Sequence, residues 1–172
     1  VLNRGESFGS KGFWAPQVFV HHDKIYMAYT ANEHIAIAVS NSPAGPFRQK
    51  EMVSLRAPVK QIDPFVFRDD DGKLYLYHVR LQEGNRIFVA QLKDDLSAID
   101  QSTLRECISA VTDPQPWENR WLAKWTVAEG PTVMKHGKKY YLFYSSIDFR
   151  NPAYAVGAAT ADHPCGPWKQ NE

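Results

Sequence analysis

Ile62-Asp63-Pro64-Phe65-Val66, then Asp69-Asp70-Asp71-Gly72, then Lys73-Leu74-Tyr75-Leu76, decides the fold, because the chain carries this pattern three times. Upstream it becomes Trp14-Ala15-Pro16-Gln17-Val18 with Lys24-Ile25-Tyr26-Met27. Downstream it becomes Glu129-Gly130-Pro131-Thr132-Val133 with Lys139-Tyr140-Tyr141-Leu142. Each copy has Pro-x-Val, a short polar turn and a Tyr-rich apolar run. The step from Pro to the aligned Tyr is 10, 11 and 10 residues. In the middle copy Asp71-Gly72 supplies the positive φ of a tight hairpin. A third apolar run follows each time: Ile35–Val39, Ile87–Ala90 and Tyr154–Ala158. Two copies then close on related turns, Ser42-Pro43-Ala44-Gly45-Pro46-Phe47 and His163-Pro164-Cys165-Gly166-Pro167-Trp168. Short strands divided by turn signals predict an all-β protein.

The prolines recur after 48 and then 67 residues. The first interval matches the period of about 40–50 residues of four-stranded propeller blades. The second is read as carrying an insertion over Thr103–Lys124, with a short helical turn expected around Pro114–Trp125. The predicted fold is a β-propeller of antiparallel four-stranded sheets, about three blades of a five-bladed propeller, incomplete over residues 1–172. Three blades do not close a ring, which takes four to eight. The expectation is therefore that further blades belong before Val1, after Glu172, or both.

Composition narrows the partners. A hydrophobic fraction of 44% and a charged fraction of 23% fit a globular domain with a real core. With 20 basic and 19 acidic residues and no basic block, nothing points to nucleic acid. No apolar run approaches the roughly 18 residues of a membrane-spanning helix. Aromatic residues make up 13%, which suits both strand formation and stacking on sugar rings. Cys107 and Cys165 lack metal-ligand spacing and can pair or stay reduced. His21, His22, His34, His78, His136 and His163 show no metal spacing either. The Asp69–Asp71 run lacks the downstream Glu of a calcium loop, so no metal is expected. Ser145-Ser146 has no nucleophile-elbow context. No signal peptide is present, and a chain starting at Val1 leaves location open, with a secreted or periplasmic parent favoured.

The chemistry sits at the strand starts. The first strand of every propeller blade lines the central channel, so Asp63 and Glu129 are expected at one funnel mouth, in equivalent places on neighbouring units. Two carboxylates flanking a glycosidic bond are the tools of glycoside hydrolysis. A like charge nearby raises a carboxyl pKa and helps an acid keep its proton. Trp14 keeps the register of Glu129 relative to its Pro, and is expected either as a stacking platform for a sugar or as blade packing.

These strings resemble glycoside hydrolase family 43, five-bladed propeller enzymes acting on arabinose- and xylose-containing polymers. The likeness is carried by Phe13-Trp14-Ala15-Pro16-Gln17-Val18, Ile37–Phe47, Ile62-Asp63-Pro64-Phe65-Val66-Phe67, Pro116-Trp117-Glu118, Ala128-Glu129-Gly130-Pro131 and Tyr140-Tyr141-Leu142-Phe143-Tyr144-Ser145 through Gly166-Pro167-Trp168. It implies that Glu129 is the general acid, that Asp63 tunes and orients it, and that Trp14 lies in the sugar pocket. It also implies an inverting reaction whose general base is an Asp of the first blade. No Asp-Pro precedes Trp14, so the chain is expected to cover about the second to fourth blades, to lack the base and to be inactive alone. No redox or nucleotide cofactor is implied. The implied partners are an oligo- or polysaccharide and either the missing blades of a parent chain or a second copy joined at exposed strand edges. A non-catalytic carbohydrate-binding propeller and a five-bladed enzyme acting on fructosides or mannosides are the alternatives.

Overall fold

A computed structural model describes residues 1–118 and 124–171. Its regular elements are strands, with one 3-10 turn at Gln101–Thr103 among the described residues. Three antiparallel sheets follow one another along the chain. The first contains β1 (Trp14–His21), β2 (Lys24–Ala31) and β3 (His34–Ser40). The second contains β4 (Gln61–Arg68), β5 (Leu74–Leu81), β6 (Asn85–Leu92) and β7 (Arg105–Ile108). The third contains β8 (Ala128–His136), β9 (Lys139–Ser146), β10 (Ala155–Ala161) and β11 (Lys169–Gln170). Within each sheet, successive strands are neighbours, the up-and-down order of a propeller blade.

The sequence pattern explains the layering. Side chains along a strand alternate between faces. In β5, the middle sheet's second strand, residues 74–80 are all buried. Leu74 and Leu76 enter a core shared with Ala28 and Ile35 of the first sheet. Tyr75, Tyr77 and Val79 enter a core shared with Val133, Leu142 and Tyr144 of the third. A continuous apolar run is what a strand covered on both faces requires. The outer face of the first sheet packs Met27, Tyr29 and Phe47 against Leu2 and Phe8 of the N-terminal segment.

Three expectations change in detail. The long interval before the third repeat is not all insertion, because Arg105–Ile108 is the fourth strand of the second sheet. Its Arg-Glu-Cys-Ile has only one strongly apolar residue and no Pro-Gly turn before it, so pattern reading passes over it. The fourth strand of the first sheet shrinks to a single bridge, Val39 with Arg48. In the third repeat the strand starts at Ala155, leaving Tyr154 outside the ladder. Around Pro114–Trp125 the backbone turns at Gln115–Glu118, where the Glu118 N–H donates to the Gln115 carbonyl at 2.9 Å. The rest of that expected turn, residues 119–123, lies outside the described residues. Asp69–Gly72 is the expected hairpin turn, closed by the Gly72 N–H on the Asp69 carbonyl at 2.9 Å.

Candidate functional site

One backbone device sets the site. β1, β4 and β8 each lose register at the same place: between Trp14 and Gln17, Ile62 and Phe65, and Glu129 and Thr132. Each break spans an X-Pro pair. Proline has no N–H to give the ladder, so inside a sheet it is confined to edges and bulges. The residue before each Pro takes a left-handed φ, 47° at Ala15, 53° at Asp63 and 61° at Gly130. Gly130 adopts this freely, Asp63 tolerates it better than most residues, and Ala15 pays for its Cβ. Asp63 is therefore equivalent to Ala15 and Gly130, while Glu129 is equivalent to Trp14 and Ile62. The two carboxylates sit in the same bulge on neighbouring sheets, one position apart.

The bulge also frees an N–H from each ladder. The Asp63 N–H donates to Thr30 Oγ1 of the first sheet at 3.0 Å. The Gly130 N–H donates to Asp63 Oδ2 at 3.0 Å. The bulges of the second and third sheets are thus each tied to a side chain of the preceding sheet, and Asp63 is brought against the residue that follows Glu129. Gln17 adds a clamp: its Oε1 accepts from the Val66 N–H at 2.6 Å, and its Nε2 donates to the Val66 carbonyl at 3.0 Å.

Glu129 is held at both carboxylate oxygens. Asn85 Nδ2 donates to Oε2 at 3.0 Å, and the Tyr154 hydroxyl donates to Oε1 at 3.0 Å. Asn85, at the start of β6 and 8% exposed, is itself fixed by Trp125 Nε1–H at 2.8 Å and by its own N–H on the Thr126 carbonyl at 2.8 Å. Beside Tyr154 lies a hollow of about 360 Å³, lined by Trp117, Ile147, Pro152–Ala153, Tyr154 and Ala155. The Asp63 carboxyl is pushed up to about 6, chiefly by burial and further by the Glu129 charge, against the opposing Gly130 hydrogen bond.

Trp14 sits at the same end of its inner strand, half-exposed. A Cβ on Gly12 would lie 2.4 Å from its ring, so the benzo ring of the indole abuts that glycine. It lines an apolar hollow of about 390 Å³ with Val1–Arg4, Phe13, Pro16, Met27 and Tyr29. Neither Asp63 nor Glu129 lines that hollow. Glu118 of Pro116-Trp117-Glu118 is buried and structural, accepting from the Gln115 N–H at 2.6 Å and from Gln170 Nε2 at 3.0 Å. Asp69 and Asp70 are both engaged by Lys135 Nζ at 2.8 Å. Sequence reasoning missed Thr30, Asn85, Trp125 and Tyr154 as supports of the carboxylates. A lone Asn or Thr at a strand end carries no signal. Tyr154 was hidden by being counted as strand.

The model of the glycosyl hydrolases family 43 matches residues 1–172, the whole chain. The chain belongs to glycosyl hydrolases family 43. Among curated family 43 relatives, "Xylosidase/arabinosidase 43A" of Humicola insolens is 30% identical, over 81% of this chain and 52% of that protein. "Beta-xylosidase" of Xylanibacter ruminicola is 26% identical, over 95% of this chain and 60% of that protein. Among solved structures, an endo-1,4-beta-xylanase from Bacteroides thetaiotaomicron VPI-5482 superposes with a TM-score of 0.91 at 44% identity, covering 99% of this chain and 57% of that one. A thermostable family 43 glycoside hydrolase superposes with a TM-score of 0.85 at 32% identity, over 96% and 55% of the two chains. The three sheets are propeller blades, and the chain spans a little over half the length of these relatives.

Proposed function

We propose that these blades belong to an inverting glycoside hydrolase that cleaves xylosyl or arabinosyl linkages in plant polysaccharides, with Glu129 as general acid. The observation that carries this reading is the paired bulge, which sets Glu129 beside a buried carboxylate while Asn85 and Tyr154 fix both its oxygens. In this mechanism Glu129 gives its proton to the leaving oxygen as the glycosidic bond breaks. Asp63 holds the backbone behind Glu129 through the Gly130 N–H and so orients the acid. Water attacks the opposite face of the sugar, activated by a base roughly 6.5–9.5 Å from the acid. We place the three sheets as about the second to fourth blades of five, and the base on the first blade, outside residues 1–172. Trp14 serves as an apolar wall for a bound sugar. The names of the relatives support the substrate class.

The test is Glu129→Gln in the intact parent enzyme. Turnover of natural xylo- or arabino-oligosaccharides should fall by about 10²–10⁴-fold, the worth of one general acid. Activated aryl glycosides, whose leaving group needs little protonation, should be nearly spared. Equal losses on both would remove Glu129 from the acid role. Saturable oligosaccharide binding with no turnover in the intact parent would favour the carbohydrate-binding reading.

A further inference from the structure

The face remote from Glu129 holds a second cluster. β1 and β6 both start at the carboxylate end, and their far ends lie seven residues on, roughly 20 Å away along the strands. There His21 ends β1, His22 opens the turn to β2, and Asp94 follows β6 in the next sheet. In a regular strand consecutive side chains face opposite ways. The turn, with φ of 45° at His22 and 58° at Asp23, breaks that alternation and brings the two rings to 3.9 Å between centroids. His21 Nε2 lies 3.2 Å from Asp94 Oδ1, and His22 Nε2 lies 2.8 Å from Asp94 Oδ2. The three ligand atoms all fall within 4.8 Å of one another. His21 is buried and His22 and Asp94 are exposed, so the cluster has a fixed floor and an open mouth.

We infer that His21, His22 and Asp94 bind one divalent transition-metal ion of the zinc class, which ties the β1–β2 turn to the β6–β7 connection. An ion with bonds of about 2.0–2.1 Å in tetrahedral geometry keeps its ligand atoms about 3.4 Å apart. His21 Nε2 and His22 Nε2 lie 3.2 and 2.8 Å from the two oxygens of the one Asp94 carboxylate, and all three ligand atoms lie within 4.8 Å of one another, so small side-chain rotations bring them to that spacing. Two imidazoles with one carboxylate suit zinc, nickel or copper, whereas calcium and magnesium take oxygen shells. Three ligands leave a coordination position for water. The Asp94 carbonyl, 2.8 Å from His21 Nε2, is the neighbouring protein oxygen. Both Nε2 atoms face oxygens of Asp94, and metal binding requires each Nε2 to be free of its proton, leaving the proton on Nδ1. The buried His21 Nδ1 has no hydrogen-bond partner. A metal-bound His normally donates from that atom, and losing such support costs 10–100-fold in affinity. The site therefore binds less tightly than a closed structural zinc site. Sequence spacing gives no hint of it, because Asp94 comes from the next blade.

The protein, stripped with EDTA, is titrated with zinc chloride against a chromogenic chelator, and its cobalt form is examined by absorption spectroscopy. One ion per chain should bind. At an ion concentration 100 times the dissociation constant, the melting temperature should rise by about 5–10 °C. His22→Ala and Asp94→Ala, both at exposed positions, should keep the circular dichroism spectrum. Each should weaken zinc binding by more than about 100-fold, beyond what a supporting residue contributes. Calcium should give no melting shift. Binding no tighter than millimolar, or tight binding that survives both substitutions, would overturn the inference.

Discussion

Asp63 combines a left-handed φ, a following proline and a neighbouring carboxylate. The burial and the Glu129 charge together have a sign that can be measured. In the fold Asp63 keeps its proton to about pH 6, whereas in the unfolded chain it releases it near pH 3.9. Its contribution to stability is therefore whole below about pH 3.9, is lost as pH rises through 6, and leaves a cost of roughly 1–3 kcal/mol above that. Asp63→Asn tolerates the same φ and can still accept from the Gly130 N–H. We expect it to melt higher than the wild type at pH 8 and to match it at pH 4, as followed by thermal unfolding at the two pH values. Asn85 is the opposite case. Asn85→Ala leaves the Trp125 indole N–H and Glu129 Oε2 without their partner. It should cost about 1–3 kcal/mol in urea unfolding, the price of orphaned polar groups. In the intact enzyme it should also change the pH profile of turnover, which a purely structural loss would leave in place.

Strands and turns carry the second level. The sheets are tied at both ends of their inner strands, by different chemistry. At the carboxylate end the tie is Thr30 Oγ1 to the Asp63 N–H. Thr30→Val keeps the shape and removes the acceptor, so it should cost about 1–3 kcal/mol, with Thr30→Ser restoring most of it. At the far end Lys135 bridges Asp69 and Asp70, lies 4.9 Å from the Tyr140 ring centre, and Tyr140 donates to Asp69 at 2.6 Å. Burial alone would raise the Asp69 carboxyl, but Lys135 and Tyr140 outweigh it and hold it low. That stability is present above about pH 3.9 and is lost as pH falls through the lower folded value. Asp69→Asn should therefore unfold at lower urea than the wild type at pH 7, with the two curves converging as the pH falls below the usual carboxylate range. The inner strands, the Tyr-rich strands and the Asp-Gly turn were legible because period-2 patterning and turn chemistry are local. β7, the bulge offset between Asp63 and Glu129, and the Asn85–Trp125–Glu129 chain were not. Each depends on which backbone groups are left over after the sheets pair, and no sequence window contains that.

Across the whole molecule, the outward face of the third sheet is unusual. Met134 is 51% exposed, Phe143 37% and Val156 71%. The register puts Thr132 opposite Phe143 and Val156 opposite Ser145, so these side chains share one face. An apolar sheet face of this kind marks a surface that packs on something. Residues 1–172 alone should associate with themselves, and Val156→Lys with Phe143→Lys should shift sedimentation toward monomer. If the pair leaves the association unchanged, the exposed β1 edge, with Val18 45% and Val20 64% exposed, is the contact instead. The propeller class followed from the repeat alone, because its period is set by the size of a blade. The substrate did not follow, because no single repeat holds both Asp63 and Glu129.

The occupants of the left-handed bulge position, Ala15, Asp63 and Gly130, have a property that lies in the genetic code. Their codons share a first base and differ at the second, so where the third base is a pyrimidine a single nucleotide change exchanges one for another. The slot already stands outside the ladder, its N–H at Asp63 and Gly130 is already spoken for across the sheet boundary, and the following proline keeps the bulge in place. A charge can thus be written into or erased from the funnel, blade by blade, through one-step mutations that leave strand pairing untouched. Diversification of such a propeller is open to drift at these positions long before any sheet must be rebuilt.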